Sequence, residues 1–265
     1  MLKIFQRLWQ VNWAEQWQYR ANLIMYLLYW LVSPIIYLAV WTSIAASKGS
    51  VSGLTVNDFT TYYMTLLIVD QITSNIVIHT FAYKVQDGSL SGELVRPIHP
   101  MLTNALVNNI AFKVLTIMGF IPIWIILFFL FKPDFSSVTL TGILFAIPAM
   151  IMGFLIGFLL SAAITSLAFW TTRVYSIHEF YYALHLLFAG QFVPLMLMPK
   201  LIQDIAQYLP FQLLIYFPVQ LILGNLSKPQ IVQGYLIGGI WLAVAIALFT
   251  LVWRNGVKRF SAVGA

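Results

Sequence analysis

From residue 21 to residue 42 the chain carries no charged side chain, and five more long apolar stretches follow, at 59–81, 104–131, 139–170, 180–198 and 231–253. At 1.5 Å per helical residue, about 20 residues cross a hydrocarbon core of ~30 Å. A backbone in that core finds no water to bond, and a helix satisfies its amides within a single segment. The expected fold class is therefore an all-α membrane protein with six transmembrane helices. Only 8% of the residues are charged, against roughly a quarter in soluble domains, and no polar remainder is long enough for a second domain. One transmembrane domain over 1–265 is expected. Ser43-Ile44-Ala45 has the form of a signal cleavage site, but the run before it is about twice the length of a signal core and contains Pro34, so it reads as a retained span.

The polar breaks carry the remaining information. In residues 2–19, Leu2, Phe5, Trp9, Trp13 and Trp17 recur every three or four positions, with Lys3, Arg7, Gln10 and Gln18 mostly opposite. That pattern suits an amphipathic helix in the membrane interface, serving either as an anchor or as a contact surface for a partner. The longest break runs from Lys84 to Pro100. Asp87-Gly88 reads as a turn, Pro97 and Pro100 fix the exit, and the residues between form about two helical turns with Ser89 as N-cap. Glu93 and Arg96, three apart, would share a face. Residues 200–228 are interrupted by Pro210 and Pro218 and read as two short helices dipping into the outer leaflet, which requires packing against protein. Gly153/Gly157 and Gly234/Gly238 form G-x-x-x-G pairs that allow close helix approach.

Positive charge sets the orientation. With the N-terminus inside, the inner side holds Lys3, Arg7, Arg20, Lys84, Arg96, Lys113, Arg173, Arg254, Lys258 and Arg259, and the outer side holds Lys48, Lys132, Lys200 and Lys228. Both termini and the 84–100 loop are then cytoplasmic, with Lys113 snorkelling to the inner surface. The net charge of +6 reads as topology and attraction to lipid, and no nucleic-acid partner is expected.

Catalytic signatures are missing. The chain contains no G-x-x-x-x-G-K-[ST], no H-E-x-x-H and no G-x-S-x-G, and without cysteine it has no disulfide or thiolate chemistry. Leu90-Ser91-Gly92-Glu93 matches the start of an ATPase signature with nothing else of such a domain around it. His178 and His185 could share a helix face near Glu179, but further ligands at useful spacing are lacking, so no metal site is expected. Asp70 is the sharpest residue. A carboxylate in mid-span costs roughly 2.5–3.5 kcal/mol on insertion scales, so it must face the bundle interior or water. A helix contact, a substrate path and a proton relay are all open to it, and the neighbouring Gln71, Thr73, Ser74 and Asn75 favour the first two. Tyr26, Tyr29, Trp30, Tyr37 and Trp41 crowd one span and cannot all sit at its ends, so some are candidates to line a path for an amphiphile. The path residues selected are Asp70, Asn75, Tyr29 and Tyr37.

Four passages together resemble the permease subunit of a bacterial type-2 ABC exporter, in its less-characterised six-span branch. They are Gln18-Tyr-Arg-Ala-Asn22, the run from Asp87 to Pro100, the run from Leu209 to Gly224, and the terminal Trp253-Arg-Asn-Gly-Val-Lys-Arg-Phe260. The resemblance implies a type V exporter-like fold with an elbow helix at 1–19, a coupling helix in the 84–100 loop and re-entrant helices at 203–226. It also implies a permease that is not itself an enzyme and binds no cofactor. ATP and Mg would reside on a dimer of cytoplasmic ABC ATPase subunits, with a second permease chain, identical or homologous, completing the transporter in the bacterial inner membrane. Asp87, Gly88, Glu93, Arg96 and Pro97 would then couple to the ATPase, so reversing the charges of Glu93 and Arg96 should lower substrate-stimulated ATP hydrolysis. The expected function is export of an amphiphile (a lipid, lipid-linked glycan, peptide or drug). The alternative is a secondary transporter or channel using Asp70.

Overall fold

The computed structural model describes residues 2–260. The end of the basic tail, at 261–265, lies outside the described residues, as do the side chains of Leu2 and Arg20 used above. Eleven α-helices are present among the described residues: α1 (Leu2–Gln18), α2 (Arg20–Lys48), α3 (Val56–Thr73), α4 (Val77–Gln86), α5 (Ser91–Leu94), α6 (Val107–Phe131), α7 (Leu140–Ser166), α8 (Val174–Phe188), α9 (Lys200–Ala206), α10 (Tyr216–Ile222) and α11 (Lys228–Val257). No strand occurs among those residues. The all-α membrane fold expected from the sequence is what the chain adopts. Five segments are long and apolar enough to cross a bilayer, or up to six if the bent pair Lys200–Ala206 and Phe211–Ile222 counts as one span.

Local chemistry starts these helices where the hydropathy does. Thr55 and Asp58 form a capping box ahead of α3, and Ser227 and Gln230 form another ahead of α11. The Thr139 hydroxyl accepts the Gly142 N–H at the start of α7. Lys132, with φ of 48°, closes α6 in the left-handed region, so 132–134 is the tight turn expected.

α7 is the central helix, packing against α3, α4, α8, α10 and α11. Two of its neighbours come close because glycine faces them. A methyl group on Gly153 would sit 2.7 Å from the Leu213 carbonyl oxygen, and one on Gly238 of α11 would meet the Met152 side chain. α1 lies along α6, with Asn12 buried and accepting from Asn108 Nδ2 at 3.0 Å, while Trp17 stays 54% exposed. The start of α2, the loop after α4 and the end of α11 lie at one end of the bundle, called here the terminal side.

Three expectations need correction. The second apolar stretch is not one helix, because it breaks at Ser74–Ile76 between α3 and α4. The helix expected at 180–198 begins earlier and stops at Phe188. Its 15 residues rise only about 22 Å, and Gly190 (φ 76°) and Pro194 turn the backbone instead. Such irregular backbone needs protein donors. Tyr62 donates to the Gly190 carbonyl at 2.7 Å, Tyr63 and Trp41 donate to that of Phe192, and Gln203 Nε2 donates to those of Met196 and Met198. Finally, Trp253, whose place at a span end suits the headgroup belt, is instead 7% exposed and packs on Phe81, His99 and Phe169.

Candidate functional site

The break in the second apolar stretch builds the most unusual site in the molecule. α3 runs to Thr73, and Ser74 then takes an extended conformation that leaves the last carbonyls of α3 without helical partners. Lys113 of α6 meets that need. Its ammonium donates to the Gln71 carbonyl at 3.0 Å and to Ser74 Oγ at 3.2 Å, and lies 5.3 Å from the Phe154 ring centroid. The expected snorkelling of Lys113 is therefore wrong. The lysine turns inward because a helix end offers it acceptors there. No sequence signal marked this pairing, since Ser74 and Asn75 are not strong helix breakers.

Beside the break lies a cavity of about 710 Å³. α2 packs on α3 and α6, whereas α8 packs on α7 and the turn at Phe211–Leu213, and the cavity is the gap left between α2 and α8. One wall carries Tyr26, Tyr29 and Trp30 of α2, and the other carries His178, Glu179, Tyr181, Tyr182 and His185 of α8. Asp70, Asn75 and His79 form its back, and it ends at Gln191 and Leu214. Asp70 is 5% exposed, while Tyr29, at 73%, stands at the open edge.

Of the path residues chosen from sequence, Asp70, Asn75 and Tyr29 come together here. Tyr37 does not. It lies farther along α2, with its ring edge-to-face on Phe192, and the Trp41 ring stacks on Phe59. The histidines of α8 do share a face, and α4 brings His79 within 6.2 Å (ring centroids) of His178. Among the described residues no group of three or more metal-ligating side chains is assembled. Sequence reasoning missed Tyr181, Tyr182 and Gln191. The 3.6-residue periodicity of α8 could have placed the two tyrosines with the histidines.

The 84–100 loop forms a compact knuckle on the terminal side. The Asp87 carboxylate accepts from Ser89 N–H at 2.9 Å and from Ser89 Oγ at 2.7 Å, and these bonds hold its pKa below the usual carboxylate value. Gly88 supplies the left-handed φ of 81° the turn requires. Ser89 is thus a donor to Asp87 and not the N-cap expected, and the helix it was to start is one turn, Ser91–Leu94. Glu93 and Arg96, expected on one face, differ in exposure. Glu93 is tied to Lys84 at 2.8 Å with its side chain 14% exposed, whereas Val95, Arg96 and Pro97 project outward, Val95 at 84% exposure. The knuckle leaves along a groove shared with the end of α11, in which His99 lies 4.7 Å from the Trp253 ring. Burial there lowers the His99 pKa.

Comparison with known families gives a match. A family model described as ABC-2 family transporter protein covers residues 20–264, from the start of α2 into the tail. Comparison with curated proteins finds no match.

Proposed function

The chain belongs to the ABC-2 transporter family, as a multi-pass membrane protein and the permease part of an ABC transporter, and from this we propose that it exports an amphiphile using ATP hydrolysed by a separate subunit. Two such chains, identical or homologous, sit over a dimer of cytoplasmic ABC ATPases that bind the ATP and Mg. The terminal side faces the cytoplasm of a bacterial cell, its membrane being the inner one, and α1 is the elbow helix along that surface.

The observation that carries this reading is the build of the 84–100 knuckle. Its interior is locked by the Lys84–Glu93 pair and the Asp87–Ser89 turn, so a push at its tip moves it as a unit. That tip presents Val95, Arg96 and Pro97, one apolar, one cationic and one stiff residue, to a partner. Its base packs through His99 on Trp253, which also touches Phe81 of α4 and Phe169 beyond α7. Displacement of the knuckle therefore reaches α4, α11 and the turn after α7 at one ring. α4 leads directly to the break at Ser74–Ile76 and so to the cavity wall. The cavity draws its residues from the cytoplasmic half of α2 and α8 and ends at the irregular backbone after Phe188, which with α9 and α10 closes the outer side.

Coexpression of the chain with an ABC ATPase encoded beside it tests the reading. The two should copurify, and Arg96→Glu should reduce substrate-stimulated ATP hydrolysis several-fold while membrane insertion is unchanged. Full coupling in that variant removes the knuckle from the account. A buried Asp70 beside the cavity also suits a secondary transporter, a reading that gains if uptake into ATP-depleted vesicles persists and follows a proton gradient.

A further inference from the structure

The cavity between α2 and α8 has a one-sided charge inventory. Its charged lining is Asp70 and Glu179, with no lysine or arginine. Lys113, the base whose field reaches Asp70, has its ammonium committed to Gln71 and Ser74. The Asp70 side chain makes no hydrogen bond and no ion pair with the described residues, although it is almost wholly buried.

Unused acceptors continue the pattern. Asn75 Oδ1, Gln191 Oε1, the Tyr181 hydroxyl and His185 Nδ1 are buried without a partner and all four residues belong to the lining; of these atoms the two amide oxygens can only accept. Buried acceptors of this kind are costly unless a donor arrives. Around them stand aromatic faces on both walls, Tyr26, Tyr29 and Trp30 opposite Tyr181 and Tyr182. Aromatic rings attract a desolvated cation through their quadrupole and offer nothing comparable to an anion. The volume of about 710 Å³ lies within the roughly 300–1,000 Å³ of sites for drug-sized ligands.

We propose that this cavity receives an organic cation, with its charged centre toward Asp70 and Glu179 and its apolar body between the tyrosine walls. The inference rests on the export reading only for the steps after binding, because occupancy needs no nucleotide. It narrows the substrate class. A phosphate-bearing lipid or glycan would bring negative charge to two carboxylates with no arginine or lysine in the lining to receive it, so the cavity disfavours such anions.

Two ions of nearly equal shape and opposite charge, tetraphenylphosphonium and tetraphenylborate, separate charge recognition from greasiness. Equilibrium binding of each to the full chain in lipid nanodiscs, corrected with protein-free discs, should be saturable for the phosphonium alone. Asp70→Asn and Glu179→Gln should each weaken it about tenfold, and Asp70→Glu should retain most of it. Glu179 is exposed, so its variant reports even where Asp70→Asn fails to fold. Saturable binding of the borate at equal affinity, or phosphonium binding that Glu179→Gln leaves unchanged in folded protein, overturns the proposal. The export reading fails separately, if phosphonium binds as described yet neither stimulates a copurified ATPase nor is released when ATP is supplied.

Discussion

Lys113 illustrates how one side chain can reconcile a polar defect with a membrane interior. The end of α3 leaves carbonyls unpaired inside the bundle, and the ammonium that meets them is itself stabilised by the Phe154 ring. Hydrogen bonds to charged groups are worth about 1.5–3 kcal/mol each. Lys113→Met removes both and orphans the Gln71 carbonyl, so the variant should lose on that order of stability, read as a lower unfolding temperature in detergent. His99 makes a different prediction. Its half-buried ring favours the neutral form, so its pKa in the folded chain lies below its ordinary value of about 6.5. The unfolded or undocked loop binds the proton more readily. Packing of the knuckle on Trp253 is thus complete above pH 6.5 and weakens as pH falls below it. Arg96, Arg254 and Lys258 share the groove and supply no carboxylate to hold an imidazolium. Spin labels at Val95 and Val257 should give a narrow distance distribution at pH 8 that broadens between about pH 6.5 and 5, and His99→Gln should remove that transition.

Among the elements, α7 shows what a glycine pair does and what periodicity alone leaves open. Gly153 and Gly238 look alike in sequence, each in a G-x-x-x-G pair, but they meet different neighbours. A methyl at Gly153 collides with backbone at Leu213, whereas one at Gly238 meets the flexible end of Met152. Gly153→Ala should therefore cost about 1–3 kcal/mol, and Gly238→Ala clearly less, in parallel thermal unfolding. Hydropathy made the long helices α2, α6, α7 and α11 legible, because each apolar run ends where caps or charges begin. It did not reveal the break after Thr73 or the early end of α8. There the backbone leaves the helix inside an apolar run, and its donors come from residues far away in sequence, Lys113 for one and Tyr62, Tyr63 and Trp41 for the other. Long-range satisfaction of that kind leaves no local signature. The site was half legible for the same reason. Asp70 and Asn75 stood out as polar residues in an apolar run, whereas Tyr37 resembled Tyr29 in composition and differed only in what the outer backbone placed beside it.

On the scale of the whole molecule, the open edge of the cavity is where the proposed second chain would meet this one. Its walls, α2 and α8, do not close on each other, and Tyr29 and Met25 of the lining stand at 73% and 68% exposure along that edge. Exposed apolar residues elsewhere, such as Phe129 and Leu130 at the end of α6, have no cavity beside them and suit plain contact with lipid. A transport path shared by two permeases requires the α2 and α8 edges to face the partner, so that each cavity opens toward the other. The absence of cysteine from the chain makes this directly measurable. Single cysteines at Tyr29 or Met25 should cross-link two copies, or this chain and a homologous permease, in native membranes. A cysteine at Leu130 should not. Because the knuckle, Trp253 and α4 connect the side proposed to meet the ATPase to the cavity wall, the yield at 25 and 29 should also change when a non-hydrolysable ATP analogue is added to the assembled complex. Cross-linking confined to the α11 face, for instance at Leu236 or Ile240, would put the two cavities on separate outer flanks, and each chain would then have to carry its substrate alone.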